Sequence, residues 1–248
     1  MGWHLCKIGN VLKSVLLRFE GVKLRYRKAS LLSGSGPWVL NGIDFGLEEG
    51  ECLGVIGQNG CGKSTLLKTC AGILSPCEGK ITLAKGLGWP QLLSLNAGFE
   101  AHLNAADNLR MMGMFMGKPR VEVEARIPEI ISLAGLEEVS DQALGTYSHG
   151  MKARLGFTMA LESKSPILCI DEIFSVGDAS FRETATERLK KRLNEGASSL
   201  MASHQPKILI NHCERTLWLE KGKVLRLGPT EEVLQEYSRW AREKAKKP

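Results

Sequence analysis

Gly57-Gln58-Asn59-Gly60-Cys61-Gly62-Lys63-Ser64-Thr65 is the stretch whose reading decides the fold. It fits the pattern G-x-x-x-x-G-K-[ST], with Gly57, Gly62, Lys63 and Ser64 in register. Before it, Cys52-Leu53-Gly54-Val55-Ile56 is a short apolar run suited to a buried parallel strand. After it, Thr65 to Gly72 reads as a helix that stops at a glycine. Glycines let successive backbone N–H groups turn inward and cradle phosphate oxygens, aided by the positive end of the helix. The pattern expects Lys63 to reach the β- and γ-phosphates and the Ser64 hydroxyl to take a position on Mg²⁺. A glycine turn that binds nothing would need neither flank. Residues 57–65 therefore predict a nucleotide site.

A second signal agrees with the first. Pro166-Ile167-Leu168-Cys169-Ile170 is fully apolar and ends in Asp171-Glu172. In P-loop NTPases a carboxylate at such a strand end completes the Mg²⁺ shell, usually through water. The next carboxylate can polarise an attacking water as general base. These roles fall on Asp171 and Glu172, because two adjacent acids at a strand end repel and are a poor structural choice.

Composition bounds the reading. With 248 residues, the chain has room for one large α/β domain or two small ones. Hydrophobic residues make up 43% and charged residues 24%, ordinary for a soluble globular protein. No apolar run approaches the about 20 residues needed to span a bilayer. The formal charge of +6 suits anionic nucleotides or an anionic membrane face and does not indicate nucleic acid. The basic cluster at Arg242 to Lys247 reads as a solvated tail. Cysteines 6, 52, 61, 70, 77, 169 and 213 form no C-x-x-C pair, so a zinc ribbon is excluded and reduced thiols in a cytoplasmic compartment are expected. Cys61, beside a helix N-terminus, is either a thiol of lowered pKa or simply a tolerated small side chain.

The remaining chain alternates strands and helices, as an α/β nucleotide-binding core requires. Residues 1–14 form an N-terminal extension with Ile8, Val11, Leu12 and Val15 at helical spacing, either an amphipathic anchor or a leader. It lacks the features of a secretory signal. Val15 to Arg27 suggests one or two edge strands broken near Gly21, and Ile43 to Leu47 another strand. Short strands are expected at Ile81–Leu83 and Gly86–Trp89. About 105–165 the pattern turns helical, with Ile127, Ile130, Ile131 and Ala134 on one face and Met111, Met112, Met114 and Met116 as a soft apolar patch. A charged helix over Ala179 to Glu195 precedes a strand at Ser198–Ala202. A hairpin about Lys221-Gly222 and a final helix over Thr230 to Lys244 follow.

Several motifs in order give the chain a family resemblance: the phosphate loop, Tyr147-Ser148-His149-Gly150-Met151-Lys152, Ile170-Asp171-Glu172, Ser175-Val176-Gly177-Asp178 and Ser203-His204. From about Val15 onward it resembles the nucleotide-binding subunits of ABC transporters. The resemblance implies a P-loop core of ABC type, over residues 15–248, with an antiparallel β subdomain and an inserted α-helical subdomain. It implies ATP and Mg²⁺ as ligands and hydrolysis of ATP between two head-to-tail copies. Ser148 and Gly150 match the signature motif, whose helix N-terminus faces the γ-phosphate held by the other copy. His204 matches the switch histidine, Asp178 the loop joining the two sites, and Tyr26 the aromatic that stacks on adenine, with Trp38 a weaker candidate.

Tyr147 to Leu155 and Val176 to Phe181 look like the ATPases that export bacterial surface polysaccharides: capsule, O-antigen or teichoic acid. The implied partner is an integral membrane permease, with this subunit peripheral on the cytoplasmic face of the bacterial inner membrane. Two departures stand out. The glutamine usual in the loop towards the membrane partner falls near Leu95, with Gln91 a poor substitute, and His149 stands where a small residue is usual. Three rivals follow: a non-transport ABC protein, a small-solute importer subunit, and an ATP-binding assembly subunit with little turnover.

Overall fold

The computed structural model describes residues 14–26, 36–93, 98–162, 165–171 and 179–245. The expected extension 1–13, Leu95, Glu172 and Ser175 to Asp178 lie outside the described residues. Among those described, the strands are β1 (Val15–Leu24), β2 (Leu40–Glu48), β3 (Cys52–Ile56), β4 (Glu78–Leu83), β5 (Gln91–Leu93), β6 (Ile167–Asp171), β7 (Ser198–Ala202), β8 (Arg215–Glu220) and β9 (Lys223–Pro229). The helices are α1 (Lys63–Cys70), α2 (Ala105–Phe115), α3 (Arg120–Leu133), α4 (His149–Glu162), α5 (Ala179–Asn194), α6 (Pro206–His212) and α7 (Thr230–Ala245).

A six-stranded sheet in the order β5-β6-β7-β3-β8-β9 is parallel except for the closing β8–β9 hairpin. Its central strands are covered on both faces, which is why they read as unbroken apolar runs. Leu53, Val55, Ile56, Leu168, Cys169, Ile170, Leu200 and Met201 are completely buried. A second, antiparallel sheet has the order β2-β1-β4. Leu17, Phe19, Val22 and Leu24 point from it into the same apolar core as β3 and α1, and Phe19 stacks on Phe45 at 4.6 Å.

The expected edge strand at Val15 to Arg27 is instead the middle strand of that sheet. Its alternating polar residues suggested an edge, but they face away from the core while the backbone pairs on both sides. Near Gly21 the strand bulges without breaking. The register shifts between Phe19 and Val22, Gly21 has φ +57, and its N–H donates to Asp44 Oδ1 at 2.7 Å. The strand expected at Gly86–Trp89 is absent and β5 begins two residues later. Helix α6, opened by Pro206, was not anticipated.

Helices α2, α3 and α4 share their own apolar cluster. Ile127, Ile130, Ile131 and Ala134 meet Leu109, Leu144 and Leu155 there, as the helical spacing predicts. Met112 and Met116 pack against it, whereas Met114 is 65% exposed. Asn104 caps α2, accepting from Asp107 N–H at 2.8 Å. One turn on, fully buried Asn108 latches the preceding loop. Its amide donates to the carbonyls of Glu100, Leu103 and Asn104, and its Oδ1 accepts from Glu100 N–H at 2.8 Å. Asn108→Ala strands these backbone groups in a dry site, so we expect a loss of about 2 kcal/mol in urea unfolding, with the midpoint lowered.

Candidate nucleotide-binding site

The loop between β3 and α1 has the geometry of an anion cradle. Gly62, the N-cap of α1, sits at φ +113, which L side chains rarely adopt. At Gly57 the constraint is space: an added Cβ would lie 2.2 Å from the Leu219 carbonyl oxygen and 2.6 Å from Cys61 Sγ. Lys63 is buried, and its ammonium donates to the carbonyls of Gly57 at 2.8 Å and Gln58 at 3.2 Å. Its charge is thus held against the loop. Ser64, one residue on, is exposed in the first turn of α1, with Asn59 and Gly60 exposed at the loop's crest. Thr65 is buried and hydrogen-bonds the Tyr26 hydroxyl at 3.1 Å.

Neighbouring strands bring further groups to the same sheet edge. In parallel register Asp171 pairs with Ala202, and Ala202 with Val55, so β3, β6 and β7 end together. Asp171 is partly exposed at that edge. Just past β7, Ser203 N–H donates to the Val55 carbonyl at 3.2 Å, and exposed His204 follows. Helix α1 packs beneath, on β6 and β7. Phosphate loop, Asp171 and His204 therefore share one rim.

Tyr26 is 48% exposed, with its hydroxyl fixed on the first turn of α1, and so offers a ring beside the loop. Trp38, the weaker aromatic candidate, is engaged by cations: Arg25 lies 4.4 Å and Lys23 5.6 Å from its ring centroid. Gln91 does not reach the rim. It pairs with Leu168, three residues below Asp171, or about 10 Å down the strand.

Ser148 and Gly150 stand apart from the loop, at the start of α4. Ser148 acts as the cap, accepting from Met151 N–H on its hydroxyl at 3.2 Å and from Lys152 N–H on its carbonyl at 3.1 Å. Tyr147, buried, anchors the turn by donating to the Val139 carbonyl at 2.7 Å. Ser148 and His149 are exposed, so the helix N-terminus faces outward.

Sequence reasoning missed two neighbours of the loop. Lys244, read as part of a solvated tail, donates to Gln58 Oε1 at 2.8 Å and to Glu220 Oε1 at 3.1 Å. Gly222 N–H donates to the Cys61 carbonyl at 2.9 Å. Only the hairpin glycine carried any signal in the sequence.

The arrangement defines a class of protein, and comparison with known proteins identifies it. The family described as ABC transporter matches residues 40–175, and this chain belongs to that family. A teichoic acids export ATP-binding protein TagH of Lactococcus lactis is 34% identical over 86% of this chain and 46% of its own. The O-antigen export system ATP-binding protein RfbB of Myxococcus xanthus is 36% identical over 91% of this chain and 50% of its own. A TagH of Staphylococcus saprophyticus is 34% identical over 82% of this chain and 76% of its own. The chain spans about half the length of the first two of these relatives. Among solved structures, the fold matches the dimeric post-hydrolysis state of the ATP-binding cassette MJ0796 bound to ADP and Pi. That match has a TM-score of 0.71 at 21% identity, over 87% of this chain and 99% of the other.

Cys61 resolves against a reactive thiol. Burial pushes its pKa up, and the adjacent Lys63 charge and backbone hydrogen bonds oppose this only in part. The thiolate fraction at neutral pH is therefore below that of an ordinary cysteine. Iodoacetamide should label exposed Cys77 well before Cys61, with peptide mass mapping as the readout.

Proposed function

We propose that this chain is the ATP-binding and ATP-hydrolysing subunit of an ABC transporter that exports a lipid-linked surface polysaccharide. The observation that carries the proposal is the shared rim, where phosphate loop, Asp171 and His204 end adjacent strands. Lys63 and backbone N–H groups of the loop offset charge on the β- and γ-phosphates, Cys61 N–H being donated to the Gln58 carbonyl, and Tyr26 stacks on adenine.

The residues present suit Mg²⁺. An exposed hydroxyl on Ser64 and the carboxylate of Asp171 form an all-oxygen donor set that leaves room for phosphate and water ligands. Held by Ser64 and Asp171, Mg²⁺ would supply positive charge against the phosphates. Glu172 takes the proton of the attacking water and His204 orients that water. The outward-facing N-terminus of α4, with Ser148 and Gly150, supports a head-to-tail dimer in which it meets the γ-phosphate held by a second copy. By the family resemblance, the role of linking the two sites falls to Asp178.

The membrane partner has a candidate surface. A groove of about 560 Å³ runs between Trp89–Leu92 and helices α2 and α4, with Met112, Met116 and Met159 in its lining. Trp89 is 54% and Phe115 78% exposed at its edges, more apolar surface than a solvated groove needs. A permease docking there would leave this subunit peripheral, and no helix among the described residues is long and apolar enough to cross a membrane. The names of the teichoic acid and O-antigen relatives support polysaccharide as the cargo. A second reading, an assembly subunit with little turnover, draws support from Gln91, which sits too far below the rim to replace the missing glutamine.

Steady-state ATP hydrolysis by the parent and by Glu172→Gln, with and without the co-encoded permease, separates these readings. A motor turns over, and the variant loses about 100-fold or more of that rate. A parent that binds ATP yet stays silent with its permease contradicts the motor and leaves the assembly subunit.

A further inference from the structure

Helix α7 packs along the sheet and delivers its last turn behind the phosphate loop. Val233 and Leu234 are buried in the core. Tyr237 and Trp240 close edge-on around Trp218 of β8, with ring centroids 5.6 and 5.2 Å away. This stripe, at helical spacing, fixes the rotation of α7 and aims Lys244 at the loop. Lys244 Nζ lies 4.6 Å over the Trp240 ring and bonds both Gln58 Oε1 and Glu220 Oε1.

Those two acceptors matter to a phosphate site. Gln58 is one of the two loop residues, with Gly57, whose carbonyls accept from Lys63. Glu220 ends β8 with its side chain only 11% exposed, next to the turn whose Gly222 N–H holds the Cys61 carbonyl. A carboxylate in this position opposes an incoming polyanion. Its charge is felt within the loop: after burial, the Glu220 carboxylate adds to the upward push on the Cys61 thiol. Glu243 and Lys221 line the same hollow. Among the described residues, it is the Lys244 ammonium that is ion-paired with Glu220, at 3.1 Å.

We propose that Lys244 is a positioning residue of the nucleotide site: it neutralises Glu220 and pins the Gln58 side chain, so that the C-terminal helix sets the affinity of the phosphate loop for a nucleoside triphosphate. This rests on the proposed nucleotide site. The effect acts on the bound ground state and transition state alike, so it moves affinity and KM and leaves kcat in place.

The test is equilibrium binding of a fluorescent ATP analogue to the full chain, with hydrolysis and thermal unfolding measured alongside. Lys244→Ala should raise Kd about 3- to 10-fold with kcat held. Lys244→Arg should restore it, and higher salt should shrink the difference. Adding Glu220→Gln to Lys244→Ala should recover much of the loss, because the opposing charge is gone. Unchanged Kd in Lys244→Ala overturns the proposal, and so does a lowered Tm with unchanged Kd, which would make Lys244 a purely structural clasp. Failure of Glu220→Gln to rescue overturns the electrostatic account. If the parent itself binds no analogue, the nucleotide site falls, and this proposal with it.

Discussion

A loop that must present its N–H groups to a phosphate can spend few of them on holding itself in shape, as Cys61 N–H does on the Gln58 carbonyl, so most of its shape has to come from elsewhere. Here it comes from close approach to the β8–β9 hairpin. Gly57 lies against the Leu219 carbonyl with no space for a Cβ, and the Cys61 carbonyl is held by Gly222 N–H. Gly222 in turn accepts from Asn41 N–H at 2.7 Å, which ties the loop to the antiparallel sheet as well. The phosphate loop is therefore clamped by segments about 160 residues away in the chain and tied through them to both sheets.

The same constraint organises the chemistry around it. A parallel sheet delivers the ends of neighbouring strands to one edge, so Asp171 and His204 arrive beside the loop without any local sequence link. Fixed dipoles, the buried Lys63 ammonium and the N-terminus of α1 make that edge electropositive before a ligand arrives. The α4 terminus, by contrast, is capped by Ser148 and turned outward.

Much of this was legible in the sequence, for identifiable reasons. Buried parallel strands leave continuous apolar runs, so β3, β6 and β7 could be read directly, and the 3.6-residue period exposed the Ile127–Ala134 face of α3. The phosphate-loop pattern is local, and its geometry followed from residue types alone. What escaped was set by pairing at long range. The sequence of β1 cannot say that partners lie on both sides of it, and α6 is too short to show a period. Lys244 and Gln58 stand 186 residues apart, and a lysine at a basic chain end carries no sign of a partner. Glu172 and Asp178 remain readings of motif and resemblance, outside the described residues.

The claim most open to direct attack is that the clamp at Gly57 makes the nucleotide site. Equilibrium ATP binding should be compared between the parent and Gly57→Ala, with circular dichroism and thermal unfolding to confirm that the variant still folds. Because the added methyl would meet the Leu219 carbonyl at 2.2 Å, the loop must shift, and affinity should fall by about 10-fold or more in a protein that remains folded. A folded Gly57→Ala protein that binds ATP as tightly as the parent would contradict the account.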